Sequence, residues 1–252
     1  MDNHFKIIIP FYNVEDWIKK TIRSVKLQDY ENFECILIDD ISTDKTVQIL
    51  EREINGDSRF KLIRNQVKKY PLKNINEALS LSAPANENIV VILHGDDWLA
   101  KKDVLSTLNS TYNSEECWLT YGSYVEYPSM QRGKFAKKVP DLVIKENIIR
   151  QVEWMTSHLQ TFKYALWKNI DQDKSFKKDD DGQTCDFMNA WDLAWTYPLF
   201  ELAGSKSHFI SDVLYVYNRD NPLNADKVDH EIQLINERKI RNMERYRPLE
   251  KL

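Results

Sequence analysis

The sequence has little of what marks several protein classes. Only three cysteines occur among 252 residues, at Cys35, Cys117 and Cys185, and no two form a C-x-x-C pair. This spacing argues against a zinc cluster, and a sparse, odd set suits a reducing compartment. No apolar run approaches the roughly 20 residues that cross a bilayer, and no signal peptide is evident. We therefore expect a cytoplasmic protein, or one peripheral at a membrane, without an integral anchor.

Charge of one sign is not in excess either. The chain has 35 Lys and Arg against 39 Asp and Glu, a formal net charge of -4. This balance gives no electrostatic reason to expect nucleic acid as a partner. With 42% hydrophobic and 29% charged residues, the composition is that of an ordinary globular protein with one sizeable core.

The first hundred residues alternate short apolar runs with stretches of helical spacing. The runs predict strands at 6–9, 33–38, 60–63 and 89–93. Because these strands are apolar throughout, they indicate a parallel α/β sheet with helices on both faces. Ligands of such sheets bind beyond the carboxyl ends of the strands.

Polar clusters stand at three of these strand ends. They are Pro-Phe-Tyr-Asn at 10–13, Asp-Asp-Ile-Ser-Thr-Asp at 39–44 and His-Gly-Asp-Asp-Trp at 94–98. We expect the three clusters to meet in one cleft. In the last one, Asp96 and Asp97 offer carboxylates for a divalent cation that also binds phosphates, although Gly-Asp-Asp is also good turn chemistry.

The pair Asp39-Asp40 alone leaves several interpretations open. One carboxylate can accept a hydrogen bond from a base N–H or a ribose hydroxyl. A phospho-acceptor site of receiver type also uses acids at strand ends. The third interpretation is a cap for the helix that follows Asp44.

Together, the order and spacing of the three clusters resemble the family 2 glycosyltransferases of GT-A fold. That family ends its first strand in a Pro-x-Tyr-Asn-like turn, its second in Asp-Asp-x-Ser-x-Asp and its fourth in an Asp-x-Asp-type metal motif. The resemblance implies a Rossmann-like, mostly parallel sheet flanked by helices. It implies that Pro10 and Tyr12 line the base pocket and that Asp40 contacts the base. It further implies that Asp96 meets the ribose or the metal and that Asp97 binds the metal, Mn²⁺ or Mg²⁺.

One residue departs from the family pattern. His94 stands where the metal motif usually has its first acid. We expect His94 to pack or to support a ligand, and Asp97 to be the main metal ligand.

The second half extends the resemblance. The segment from Trp191 to Leu199 looks like the Asp-Leu-Ala-x-x-x-Pro stretch of some members, which implies that Asp192 is the general base for the acceptor hydroxyl. Trp191 offers an aromatic face to a sugar. The plain alternative is an acid placed by the helix dipole. Asp180 and Asp181 are the second candidates for the base, in a loop that can close over the cleft.

Three further positions are candidates. His158 is placed on the acceptor side or against phosphate. One of Lys68, Lys69 and Lys73, with Lys69 as our choice, can pair with the diphosphate or pack near the base. The resemblance adds His208, since some GT-A enzymes use a late histidine as an additional metal ligand. Each also has a structural interpretation, as a packed histidine or part of a solvated basic loop.

The expected architecture is one GT-A domain over 1–252. Residues 1–100 form the nucleotide-sugar and metal half, 101–228 the acceptor half and 229–252 a C-terminal helix. The resemblance implies inverting transfer from a nucleotide-diphosphate sugar to a glycan, lipid-linked or protein acceptor, with UDP-sugars favoured by family frequency. A sugar nucleotidyltransferase is disfavoured because the loop at 10–14 has no glycine. A non-catalytic nucleotide-sugar binding module stays open, since His94 would suit a degenerate site.

Overall fold

The computed structural model describes residues 2–114, 116–171, 190–224, 227 and 230–252. These residues form one β-sheet with helices on both faces. The strands, in chain order, are β1 Phe5–Phe11, β2 Phe33–Asp39, β3 Phe60–Arg64, β4 Ile89–Ile92, β5 Trp98–Leu99, β6 Leu119–Tyr127, β7 Gln131–Arg132, β8 Thr161–Lys163 and β9 Ser207–Asn218.

The helices alternate with the strands in the first half and become less regular afterwards. They are α1 Ile18–Lys26, α2 Thr46–Ile54, α3 Tyr70–Ser82, α4 Val104–Ser114, α5 Asp141–Lys145, α6 Tyr164–Lys168, α7 Trp191–Ala203 and α8 His230–Arg241. In the described part of the chain, no helix is both long enough and apolar enough to cross a membrane.

The strands lie in the order β3-β2-β1-β4-β8-β6-β9-β5, with β7 beside β6. The first four are parallel, with Ile8 of β1 opposite Ile36 of β2 and Ile92 of β4. This confirms the parallel half that the apolar runs predicted. Beyond β4 the pairing is antiparallel, except for the parallel pair β6–β9, so the complete fold is a mixed α/β sheet.

Successive residues of the parallel strands pack on opposite faces of the sheet, each face with its own hydrophobic core. Ile7 and Ile9 pack on the face covered by α1, α2 and α4, whereas Ile8 packs on the face that carries α3, α6 and α7. Burial on both faces is the reason these strands are continuous apolar runs and not alternating ones.

The late elements differ in extent from their prediction. The two short apolar stretches at 209–210 and 213–217 belong to the single strand β9. Gly122 pairs with Ile210 and Ser123 with Val213, so Ser211 and Asp212 form a bulge that interrupts the apolar pattern without ending the strand. The C-terminal helix ends at Arg241, and residues 244–252 are not helical.

A buried ion pair ties the acceptor-half helices together. Arg150 donates to both carboxylate oxygens of Glu201 in α7, at 2.6 and 2.9 Å, and also to the carbonyl of Ile240 in α8. Glu201 accepts a further bond from the backbone N–H of Tyr246. Since a buried pair is favourable only when its remaining donors and acceptors are also satisfied, these contacts fix α7 against the C-terminal segment.

Substitution of Glu201 by alanine leaves the Arg150 guanidinium buried without its carboxylate. We expect the free energy of unfolding to fall by about 3–5 kcal/mol, measured by urea denaturation. The exposed partner of Lys138 provides the control, because Asp141→Asn removes only a surface pair and should cost less than about 1 kcal/mol. Equal effects of the two substitutions would contradict the structural role of the buried pair.

Candidate functional site

The three strand-end clusters meet in one cavity. It has a volume of about 1150 Å³ and lies beyond the carboxyl ends of β1, β2 and β4, with α7 and the end of β9 as further walls. The residues predicted at strand ends that line it are Pro10, Tyr12, Asp40, His94 and Asp96. The expectation of a single cleft is therefore confirmed.

A close backbone approach brings two of the clusters together. Gly95 lies against the end of β1, where a Cβ atom would come within 2.4 Å of the Cβ of Phe11. Any side chain at this position would push the loop after β4 away from β1. The absence of a side chain at residue 95 thus keeps Asp96 beside the Pro10–Tyr12 turn.

At one end of the cavity, Asp40 fixes the start of α3. Its carboxylate is 3% exposed and accepts the backbone N–H groups of Lys69 and Tyr70 at 2.8 and 2.9 Å. The ammonium of the neighbouring Lys68 lies 2.8 Å from the centre of the Tyr12 ring, and burial lowers the pKa of Lys68 against the opposing charge of Asp40.

Of the three candidate lysines before and within the start of α3, the one that lines the cavity is Lys68. Lys69 pairs with Glu77 on α3 and does not line the cavity, whereas Lys68 does. Lys69 contributes its backbone N–H to Asp40, and this contact holds its side chain on the outer side of the helix start. The assignment of Lys69 to phosphate is therefore corrected.

The two adjacent acids have different surroundings. Asp97 is fully buried; the Tyr215 hydroxyl donates to its Oδ2 at 2.5 Å and the Asn218 backbone N–H to its Oδ1 at 2.7 Å. Asp96 lines the cavity and accepts one bond, from the Asn221 side chain at 2.7 Å. Burial and the charge of Asp97 raise the pKa of Asp96 to about 6. Asp96 lines the cavity and Asp97 does not, so the cavity lining gives no support to the expected ranking of Asp97 above Asp96.

His94 completes this group. His94, Asp96 and Asp97 each offer one ligand atom, and these atoms lie within 4.8 Å of one another. The Nδ1 of His94 is 3.3 Å from Asp97. Burial disfavours the charged imidazole, but the hydrogen bond and charge of Asp97 outweigh burial and raise the pKa of His94. His94 thus supports Asp97 and also borders the cavity.

His158 lies in an aromatic stack beside His94. Its ring is stacked on Tyr215 and Tyr217, with centroids 4.7 and 5.1 Å away, and meets Tyr124 and His94 edge to face. Burial, together with the charge of His94, lowers the pKa of His158 to about 3. A neutral imidazole brings no positive charge to a phosphate, so its position in the cavity wall favours packing or contact with an uncharged group.

The first turn of α7 borders the same cavity. Trp191 and Asp192 both line it, and the Trp191 ring lies 5.3 Å from that of His94. Burial raises the pKa of Asp192, against the opposing charge of His94. A carboxylate with a raised pKa accepts a proton more readily than a solvated one.

Two other predicted residues do not join the site. His208 pairs in register with Thr120 at the start of β9; it neither lines the cavity nor belongs to the group around His94. A local pattern could not show this, because His208 lies at the start of β9, seven residues before Tyr215, which contacts Asp97. Asp181, with Asp180, lies outside the described residues.

The structure also adds residues that the sequence did not single out. The far end of β9 supplies Tyr215, Asn218 and Asn221, which hold the two acids. The opposite end of the cavity is lined by polar and aromatic residues from the segment after α5 and from α8: Gln151, Glu153, Trp154, Gln233, Glu237 and Arg241. A weak sequence signal for the first set was the polar run from Asn218 onward, while the second set has none.

Comparison with known sequences identifies the family. The sequence profile described as "Glycosyl transferase family 2" matches residues 6–176, more than half of the chain. The chain belongs to this family of glycosyltransferases.

Curated relatives agree with this assignment. Glycosyltransferase GlyG of Streptococcus pneumoniae is 25% identical over 234 residues, 87% of this chain and 72% of that protein. Escherichia coli WfgD, named a UDP-Glc:alpha-D-GlcNAc-diphosphoundecaprenol beta-1,3-glucosyltransferase, is 38% identical over 105 residues, 40% of this chain and 39% of that protein.

Solved structures show the same fold. S. aureus TarS 1–349 in complex with UDP-GlcNAc superposes with a TM-score of 0.66 at 20% identity, over 96% of this chain and 68% of that one. Mannosyltransferase PcManGT of Pyrobaculum calidifontis, in complex with GDP-Man and Mn²⁺, gives a TM-score of 0.63 at 18% identity, over 98% and 66%. The GT-A fold expected from the strand-end motifs is thus confirmed.

The contrast between the two acids predicts different effects on stability. Asp97→Asn turns an amide N–H₂ group toward one of two donors, the Tyr215 hydroxyl or the Asn218 backbone N–H. We therefore expect the free energy of unfolding to fall by about 1–3 kcal/mol. Asp96→Asn should leave it unchanged or slightly higher, because it removes the repulsion between the two carboxylates. Urea denaturation of both variants measures this. A larger loss of stability for Asp96→Asn than for Asp97→Asn would contradict the assignment of Asp97 as the internally bonded acid.

Proposed function

We propose that the chain transfers a sugar from a nucleotide-diphosphate donor to an acceptor hydroxyl, with inversion at the anomeric carbon. The observation that carries this proposal is the placement of Asp192 and Asp96 on the walls of one cavity. A proton acceptor and an acid suited to a phosphate-bound cation then lie on either side of the same space. Direct displacement requires these two groups and no covalent intermediate.

The donor half provides the nucleotide pocket. Pro10 and Tyr12 form its apolar wall, and Asp40 is the carboxylate next to the base. The relatives and neighbours reported above include proteins named for UDP-Glc and UDP-GlcNAc, and another holds GDP-Man. UDP-sugars are our first choice of donor on this support.

A divalent cation fits the residues beside the nucleotide pocket. Asp96 offers a carboxylate oxygen at the cavity wall. A ring nitrogen of His94 lies within 4.8 Å of that oxygen. Mg²⁺ and Mn²⁺ accept such a small set of protein ligands when phosphate oxygens complete the shell. A bound cation would offset the charge of the nucleotide diphosphate as it leaves. Asp97, with both oxygens bonded inside the protein, holds this loop in place.

The acceptor is proposed to bind between α7 and α8. Asp192 takes the proton from the acceptor hydroxyl, and burial favours this by raising the pKa of its carboxyl group. Trp191 and Trp154 supply aromatic faces on which a sugar ring can stack. A glycan fits this polar and aromatic end, and the name of WfgD supports a lipid-linked one; a protein acceptor is the remaining option.

A second candidate function is a nucleotide-sugar binding module without turnover. The observation that favours it is His94, which stands in place of the first acid of the metal motif and is bonded to Asp97. A sugar nucleotidyltransferase has less support, because the turn after β1 has no glycine to approach phosphates. The two experiments below distinguish these candidates.

The cation proposal predicts a binding effect of Asp96. In the unsubstituted chain, Mn²⁺ should tighten UDP binding by at least about tenfold, since it screens the diphosphate from the acidic loop. Asp96→Ala should abolish this gain, whereas the exposed acid Asp16 can be replaced by alanine without effect. Isothermal calorimetry with Mn²⁺ or with a chelator gives both constants. A full Mn²⁺ effect in Asp96→Ala would exclude Asp96 as the ligand.

The general-base proposal predicts a turnover effect of Asp192. Asp192→Asn should lower the rate of sugar transfer by roughly 10²–10⁴-fold and leave UDP binding within about twofold of the original. Nucleotide release is measured for a panel of sugar donors and acceptors, with the exposed Asp212→Asn as the matched control. Normal transfer by Asp192→Asn would refute the assignment, and binding without turnover by the unsubstituted chain would favour the module.

A further inference from the structure

Three buried polar side chains form a row at the nucleotide end of the cavity. Asp40, Asn65 and Asn74 come from the end of β2, the end of β3 and the second turn of α3. The side-chain nitrogen of Asn65 donates to Asp40 Oδ1 at 2.9 Å and to Asn74 Oδ1 at 2.7 Å. Asn74 is 1% exposed, and it lines the cavity together with Asp40.

The orientation of both amides follows from the chemistry of the row. An ionised carboxylate only accepts hydrogen bonds, so Asn65 must turn its N–H₂ group toward Asp40. The same nitrogen faces Asn74, which must therefore present its oxygen to Asn65. The N–H₂ group of Asn74 is then forced away from the row, because hydrogen-bond chemistry fixes the orientation of the amide.

This leaves a hydrogen-bond donor without an acceptor. The Nδ2 atom of Asn74 is buried and has no hydrogen-bond partner among the described residues. Buried amide groups are nearly always paired, and an exception in the wall of a ligand cavity points to a partner that the ligand brings. Tyr12, Lys68, Tyr70 and Pro71 line the cavity as well. The missing acceptor is therefore expected on the part of the ligand that packs on the Tyr12 ring.

We propose that Asn74 selects the nucleobase of the donor by donating to a ring carbonyl. The proposal rests on the proposed function, in which Pro10 and Tyr12 hold the base and Asp40 stands beside it. Asn74 then offers a donor and Asp40 an acceptor at the two ends of the row, on either side of Asn65. The complementary edge is a carbonyl next to a ring N–H, as in uracil and guanine. Held in the same ring position, cytosine and adenine present an amino group to Asn74 and an unprotonated ring nitrogen to Asp40, so both contacts are lost.

The position of Lys68 fits this assignment. Its ammonium covers the Tyr12 ring and lies 3.7 Å from Asp40 Oδ2. A base that stacks on Tyr12 takes the place of this ammonium and comes within reach of the row. Lys68 is free to turn toward the diphosphate, because its contacts are with a ring face and with oxygens at 3.4 Å or more.

Calorimetry with four nucleotides tests the proposal. The dissociation constants of UDP, GDP, CDP and ADP are measured with Mn²⁺ for the unsubstituted chain, Asn74→Ala, Asn74→Asp and the control Asn76→Ala. Asn76 is an amide on the same helix whose Oδ1 accepts from Trp167 outside the cavity. The quantity compared is the preference, the ratio of constants for an amino base and its carbonyl counterpart within one variant, which does not depend on the folded fraction.

We expect the unsubstituted chain to prefer UDP over CDP, or GDP over ADP, by about tenfold to hundredfold, the range of one or two hydrogen bonds. If the preference for UDP over CDP is the larger, the site binds a pyrimidine base. If the preference for GDP over ADP is the larger, it binds a purine base. Asn74→Ala should reduce the preference at least about fivefold. Asn74→Asp should reduce it further, since one oxygen keeps the bond from Asn65 and the other now meets the carbonyl as an acceptor. Asn76→Ala should retain it.

Two results would overturn the inference in different ways. If Asn74→Ala and Asn74→Asp keep the preference of the unsubstituted chain, Asn74 does not select the base while the proposed function stands. If the unsubstituted chain binds no nucleoside diphosphate, the proposed function fails and the inference with it.

Discussion

The buried carboxylate of Asp97 is the contact on which the site depends. Its two oxygens join the loop after β4 to Tyr215 and Asn218 at the end of β9, one of the strands that the second half of the chain contributes to the sheet. The backbone carbonyl of the same residue accepts the hydroxyl of Thr21 in α1. One residue therefore connects the parallel half, its first helix and the added strands, and it places Asp96 at the cavity wall as its neighbour in the chain.

The acceptor end rests on a second buried contact. Arg150, Glu201 and the backbone of α8 and Tyr246 form a closed set of hydrogen bonds. This set positions α7, whose first turn carries Trp191 and Asp192. The loop after β4 and the first turn of α7 therefore border one cavity, because two separate internal polar contacts hold them in place.

Much of the donor half was predictable because its signals are local. A strand buried on both faces must be apolar along its whole length, and the carboxyl ends of parallel strands must lie at one edge of the sheet. The convergence of Pro10, Tyr12, Asp40 and Asp96 follows from these two constraints alone. The acceptor half was harder to predict, since antiparallel and bulged strands such as β9 have no continuous apolar run to mark them.

Which of two adjacent residues lines the cavity was not predictable in the same way. Asp96 and Asp97 are both carboxylates after an apolar strand, and the choice between them is made by Tyr215, 118 residues away. Lys68 and Lys69 likewise differ in their contacts. The backbone N–H of Lys69 donates to Asp40 and the Lys69 side chain pairs with Glu77. The row from Asp40 to Asn74 involves three elements and has no pattern in the sequence at all.

The sequence by itself thus determined the parallel half of the sheet, the edge at which ligands bind and the class of chemistry, because strand burial and residue type act locally. The tertiary structure decided which side chains remain available at that edge. A polar group is most available where the rest of the chain leaves it unsatisfied, and this depends on contacts between segments 8 to 125 residues apart. Asp96 and Asn74 face the cavity with unused capacity for that reason, while Asp97 and Lys69 do not.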